Sequence, residues 1–196
     1  MLRNPDYPGL ITWRAVWILT LFIFHGSSSA AISSPYLIEI NKSTRELKVL
    51  SGEQVVRSFH ISLGKADHGA KRRRGDNRTP VGAYQVVDFN NDSKFFFFML
   101  LNYPNTVDAW HGYRDQTISA SEFRQIVTAI KNGAVPPQNT ALGGFIGIHG
   151  VGEETGETLE IHESFNWTEG CIALTNDEMN ELRQYVSYGT RVLIRE

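Results

Sequence analysis

Phe145-Ile146-Gly147-Ile148-His149-Gly150 and, after an intervening loop, Asn166-Trp167-Thr168-Glu169-Gly170-Cys171-Ile172-Ala173-Leu174-Thr175-Asn176 are the stretches that decide what this chain folds into. The first is a short apolar run that ends at His149-Gly150, which predicts a strand delivering an imidazole at its end. The second carries the single cysteine of the chain, preceded by Gly170. A thiol attacks as the thiolate, and an adjacent imidazole can take its proton and hold the charge as an ion pair. Cys171 and His149 are therefore the candidate nucleophile and general base, and the loop between them must fold back for them to meet. With no side chain, Gly170 lets the backbone approach a substrate carbonyl, and the amides of Gly170 and Cys171 are candidates to face a developing oxyanion.

Outside these stretches the pattern is mostly that of strands. Tyr36, Ile38 and Ile40 alternate with polar residues, as do Leu47 and Val49, which predicts a β-hairpin. Further strands are predicted over Gln54–Leu63, Val81–Val87, Phe95–Leu101 and Arg191–Ile194, the third as a continuous buried apolar run. Helices are predicted after Ser119 and Thr175. In each case Glu follows at capping-box spacing and apolar residues share one face: Phe123, Ile126, Val127 and Ile130, then Met179, Leu182 and Val186. Lys65–Pro80, with Lys71-Arg72-Arg73-Arg74, and the Gly- and Glu-rich Val151–Glu160 read as exposed loops, and Asp108–Asp115 as irregular. The predicted fold class is mainly β with two or more helices, a sandwich or partly closed barrel.

At 196 residues with a net charge of -2, the chain is sized for one domain, and no global basic surface argues for nucleic acid. Arg3 and Arg14, the apolar run Ala15–Phe24 and the small residues Ser27–Ala31 predict a secretory signal over residues 1–30, cleaved after Ala30, and export to the periplasm or cell envelope. An uncleaved anchor is the alternative, although the run is shorter than the ~20 residues of a membrane-spanning helix. Once the signal is removed, no stable membrane span is expected. With one cysteine, an exported domain has no internal disulfide, so core packing holds it together.

His149-Gly150 joined across a loop to Thr168-Glu169-Gly170-Cys171-Ile172-Ala173 resembles the L,D-transpeptidase (YkuD-type) catalytic domain, most closely its YafK/ErfK-like branch. Upstream, Gly75-Asp76-Asn77-Arg78-Thr79-Pro80-Val81-Gly82-Ala83-Tyr84 is similar to that family's Gly-Asp-x-x-Thr-Pro-x-Gly-x-Tyr element. The resemblance runs from Pro35 to Glu196. It implies a β-rich catalytic domain acting on peptidoglycan stem peptides, at the bond between the L-centre of meso-diaminopimelate and the following D-residue. The Cys171 thioester would pass to an amine or to water, with no cofactor and no metal. The histidine that most relatives carry next to the Gly-Cys is replaced by Glu169, and the arginine two residues beyond the cysteine by Ala173. Arg78 is then the first candidate for the stem carboxylates, the Lys71–Arg74 cluster a looser attractor, and Gly150, Trp167 and Thr168 are expected along the substrate cleft.

Each assignment has a plainer competitor. Cys171 is alternatively a small buried apolar side chain, His149 a hydrogen-bonded strand-end histidine, Trp167 a packing anchor, and the arginines and lysines solvated loop charges. His111 and His162 read as solvated or structural. A zinc site from His149, His162 and Cys171 is disfavoured because the spacing matches no compact zinc motif. The second functional class is a catalytically silent peptidoglycan-binding module with an unreactive thiol; a papain-like protease is disfavoured by the His-before-Cys order.

Overall fold

Ile38 and Ile40 on β1 (Tyr36–Asn41) and Leu47 and Val49 on β2 (Glu46–Ser51) are fully buried, whereas the residues between them are not. That alternation assigns one face of the hairpin to the core and fixes its register, with Ile38 opposite Val49 and Ile40 opposite Leu47. The computed structural model describes residues 34–66 and 68–196; the predicted signal over residues 1–30 lies outside them. No described helix is long and apolar enough to cross a membrane.

β3 (Gln54–His60) extends the hairpin, and β4 (Gly82–Asn90), β5 (Phe98–Leu101), β6 (Gly147–Gly150), β7 (Ile172–Leu174) and β8 (Arg191–Arg195) complete an eight-stranded sheet in the order β3-β2-β1-β8-β4-β5-β6-β7. The chain leaving β3 returns to the far edge, where Ser62 and Ala173 exchange both backbone hydrogen bonds, at 3.0 and 2.8 Å. The sheet is thereby nearly closed on itself, in agreement with the predicted partly closed barrel, and the seam of closure runs beside Cys171.

Among the described residues four helices accompany the sheet: α1 (Thr106–Arg114), α2 (Ala120–Lys131), α3 (Gly156–Ser164) and α4 (Asn176–Leu182). The capping boxes predicted at Ser119/Glu122 and Thr175/Glu178 both form and start α2 and α4. Asp108–Asp115 is not irregular but lies mostly in α1. Its start is a capping box built from Asn105 and Asp108, and the residues it buries are Asp108 and the small Ala109 and Gly112, so no apolar period announces it. α3 likewise occupies part of the stretch read as a loop, capped by Thr155 and Thr158. The apolar run at Phe95–Leu101 is strand only from Phe98; Phe96 is exposed with φ +73, and Phe95 turns toward the site described next.

Candidate active site

His149 pairs with Phe98 across the antiparallel β5/β6 ladder and with Ala173 across the parallel β6/β7 ladder. Parallel neighbours require a crossover, and the segment through α3 provides it, so Cys171, just before β7, returns beside the strand that carries His149. The imidazole is buried. Phe95 stacks on it at 4.4 Å between centroids, and Trp167 meets it edge-on at 5.8 Å. Its Nδ1 lies 2.7 Å from the Gly150 carbonyl oxygen. A carbonyl only accepts, so Nδ1 carries the proton and Nε2 is left as the proton acceptor. The third group that orients the imidazole is thus the Gly150 backbone, and Gly150 is not among the residues that line the cleft. Burial pushes the imidazole down to about 4, against the opposing effect of the Gly150 carbonyl.

The Cys171 loop is held by Thr168. Its hydroxyl donates to the Cys171 carbonyl at 2.7 Å and accepts from the Gly170 amide at 3.1 Å. Thr168 therefore shapes the turn more than it presents a polar group to substrate. The Gly170 amide is already engaged by Thr168, so it is not a free donor for the oxyanion expected at Gly170 and Cys171. Gly170 has φ +132, and a Cβ there would lie 2.6 Å from the Arg78 carbonyl oxygen, so the glycine admits another segment of the same chain rather than a substrate.

The Cys171 thiol donates to the Phe145 carbonyl at 3.4 Å, and Phe145 itself has φ +55. Burial pushes the thiol up to about 11; the Gly147 amide and the charge of Lys71 pull the other way, while Glu169 adds to the rise. Desolvation thus favours the neutral thiol and the neutral imidazole over the charged pair.

Two glycines explain why the upstream element accompanies the Cys171 loop. A Cβ on Gly64 would lie 2.3 Å from the Asn77 carbonyl oxygen, and the Gly64 amide donates to the buried Thr79 hydroxyl at 2.9 Å. The backbone of residues 77–79 is wedged between Gly64 and Gly170. Arg78 contributes that backbone, but its guanidinium is exposed beside Gly69 and is absent from the cleft wall. It therefore does not stand in the cleft where it was expected to meet the stem carboxylates. Lys71 departs from expectation in the opposite sense: it is 3% exposed, and its Nζ donates to Asp76 Oδ1 at 2.8 Å and to the Arg73 carbonyl at 3.1 Å. Asp76 also accepts from the amides of Arg72, Arg73 and Arg78.

The cleft above Cys171 and His149 has a volume of about 730 Å³. Phe95, Phe145 and Trp167 line it, so Trp167 is both packing anchor and wall. Lys65, Lys71, Arg74 and Lys94 face one acidic residue, Glu169, a local positive excess in a chain whose net charge is -2. His111 and His162 are not among the lining residues. His162 is buried against His60, with ring centroids 6.1 Å apart. Phe95, Phe145 and Lys94 are among the cleft residues that sequence reasoning did not single out; Lys71 was expected only as part of a loose attractor, and the Gly75-Asp76 step was the available signal for its burial, since Asp76 folds the loop around it.

The family model described as the YkuD L,D-transpeptidase catalytic domain matches residues 35–194. YafK of Escherichia coli K12, named as an L,D-transpeptidase, is 26% identical over 162 residues, which cover 80% of this chain and 49% of that protein. Of the solved structures, the helical cell shape determining protein Pgp2 from Campylobacter jejuni superimposes with a TM-score of 0.55 at 24% identity, covering 84% of this chain and 49% of that one. Bd1075 of Bdellovibrio bacteriovorus does so with a TM-score of 0.52 at 22% identity, covering 83% and 48%. These two likenesses concern the fold, and the chain spans about half the length of each of these relatives. Because the family model runs through the sheet, the Cys171 loop and the upstream element alike, the chain belongs to the YkuD family of L,D-transpeptidase catalytic domains.

Proposed function

We propose that this protein is an exported cell-wall enzyme that uses Cys171 to open the amide between the L-centre of meso-diaminopimelate and the following D-residue in peptidoglycan stems. The observation that carries this reading is the convergence in one cleft of the single thiol and an imidazole whose Nδ1 is tied to the Gly150 carbonyl, leaving Nε2 to accept a proton.

In the proposed first step His149 Nε2 takes the thiol proton as Sγ bonds to the substrate carbonyl carbon, and the Cys171 amide donates to the resulting oxyanion. The C–N bond then breaks. The D-residue departs as an amine with the proton from His149, and a thioester remains on Cys171. An incoming amine or water attacks the thioester and gives its proton to His149, which returns it to the sulfur; an amine yields a cross-link or attachment, water yields hydrolysis. The stem carboxylates are met by the cationic lining of the cleft, Lys65, Arg74 and Lys94, with the remaining donors of the Arg74 guanidinium, one nitrogen of which is held by the Thr140 carbonyl at 3.0 Å, as the planar group suited to them. Export is proposed on the residue 1–30 pattern.

The test is incubation of the protein with tetrapeptide muropeptides, with intact-mass detection of the acyl-enzyme and analysis of the products. An adduct on the parent chain that is absent from Cys171→Ala supports the reading, and dimer formation or release of D-alanine names the second step. A folded parent on which no acyl-enzyme forms overturns it, and a thiol that also fails to alkylate leaves a peptidoglycan-binding module.

A further inference from the structure

We propose that Lys71 is a positioning residue for the sulfur of Cys171: its buried ammonium, fixed in the cleft wall by Asp76, supplies the field that favours the thiolate and the oxyanion formed next to it. This deepens, and rests on, the proposed acyl transfer.

Lys71 lines the same cleft as Cys171, and its side chain is 4% exposed, against 9% for that of Asp76. The ammonium is held by two hydrogen bonds, to Asp76 Oδ1 at 2.8 Å and to the Arg73 carbonyl at 3.1 Å. Asp76 is held in turn by three backbone amides of its own loop, at 2.7 to 3.2 Å, so the cation does not wander as a surface lysine does. Gly143 adds a packing constraint, since a Cβ there would lie 3.4 Å from Lys71 Cε.

A fixed charge in a poorly solvated wall acts on its neighbours with little screening, and it needs no rearrangement when negative charge develops. The other charged or titratable groups facing the sulfur's cleft are His149 from β6, Glu169 from the Cys171 loop, and Lys65, Arg74 and Lys94. Glu169 opposes the thiolate and Lys71 favours it; among the basic cleft residues Lys71 alone is buried, Lys65, Arg74 and Lys94 being exposed. In this chain the position beside Gly170 is the acidic Glu169, so a compensating cation has to come from another loop, and Lys71 is the buried one.

The experiment is the pH dependence of Cys171 alkylation by iodoacetamide in the full chain, with folding followed by circular dichroism. Lys71→Met raises the pH of half-maximal reactivity by about half a unit or more and slows alkylation at pH 7.5 about threefold. Lys71→Arg restores the parent profile. Asp76→Asn keeps an oxygen for the loop amides but removes the countercharge, so it shifts the profile to lower pH. Opposite shifts in Lys71→Met and Asp76→Asn are not produced by simple loosening of the loop, which moves both the same way. Superimposable profiles, or shifts of one sign, overturn the proposal; should Lys71→Met not fold, the sign of the Asp76→Asn shift decides. Alkylation requires no muropeptide. If the shifts appear but no acyl-enzyme forms, the transfer reading falls alone, and if the acyl-enzyme forms without the shifts, this inference falls alone.

Discussion

Replacing Gly170 by alanine strikes the point where the Cys171 loop and the upstream element touch. The new Cβ would lie 2.6 Å from the Arg78 carbonyl oxygen and 3.2 Å from Ile146 Cδ1, on a backbone with φ +132. An L-residue held in so sparsely populated a conformation costs about 1–3 kcal/mol. Forcing a methyl against a fixed carbonyl adds about 1–3 kcal/mol of overpacking. Together they give about 2–6 kcal/mol, or a fall in Tm of about 4–24 °C for a domain of this size. Gly52→Ala is the control, because Gly52 has φ +62 and nothing within 4 Å of the added Cβ, so it carries the conformational cost of about 1–2 kcal/mol without the clash. The assay is thermal unfolding of both variants, together with muropeptide turnover. Relief of the clash at Gly170 requires residues 168–171 to move away from Arg78, so turnover should fall at least tenfold there and stay near the parent value for Gly52→Ala. If Gly170→Ala melts no lower than Gly52→Ala and turns over normally, the wedge of residues 77–79 does not hold the loop.

Other perturbations separate the remaining assignments. Arg78→Gln should leave kcat/KM on a tetrapeptide muropeptide within about twofold, since its guanidinium lies outside the cleft, whereas Arg74→Gln should lower it more than tenfold by removing a charged donor for a carboxylate, worth about 1.5–3 kcal/mol; equal effects would mean the carboxylates bind elsewhere. His149 and His162 are each lowered to about 4, chiefly by burial, so the unfolded chain takes up protons first. Stability is therefore fully retained above about 6.5, the unperturbed histidine value, and declines as pH falls from there toward about 4. Melting between pH 7 and 4.5 should show this slope, and His162→Phe should flatten it; an unchanged slope would mean His162 does not couple to folding. The acid limb of kcat/KM should fall near pH 4 rather than 6.5 if, as proposed, neutral His149 is the base; a limb at 6.5 would place its imidazole in a more solvated state than the structure shows.

Local chemistry was readable along the chain because it depends on neighbours a few residues away. Alternation at Ile38, Ile40, Leu47 and Val49 specified the hairpin, capping boxes specified the starts of α2 and α4, and the chemistry of a thiol and a strand-ending imidazole pointed to Cys171 and His149, which line one cleft. α1 escaped because it buries chiefly small residues and Asp108, and α3 because its stretch is rich in Gly and Glu, so neither shows an apolar period. Which loop charge enters the cleft is decided by packing across long sequence separations. The Arg78 carbonyl packs against Gly170 and its side chain is exposed, while Asp76 gathers three loop amides and the Lys71 ammonium and holds that lysine in the cleft wall. Protonation was equally out of reach of the sequence. A Cys and a His close together suggest an ion pair, but desolvation favours the neutral form of each, and how far each is desolvated depends on the tertiary placement of Phe95, Trp167 and the closing edge of the sheet.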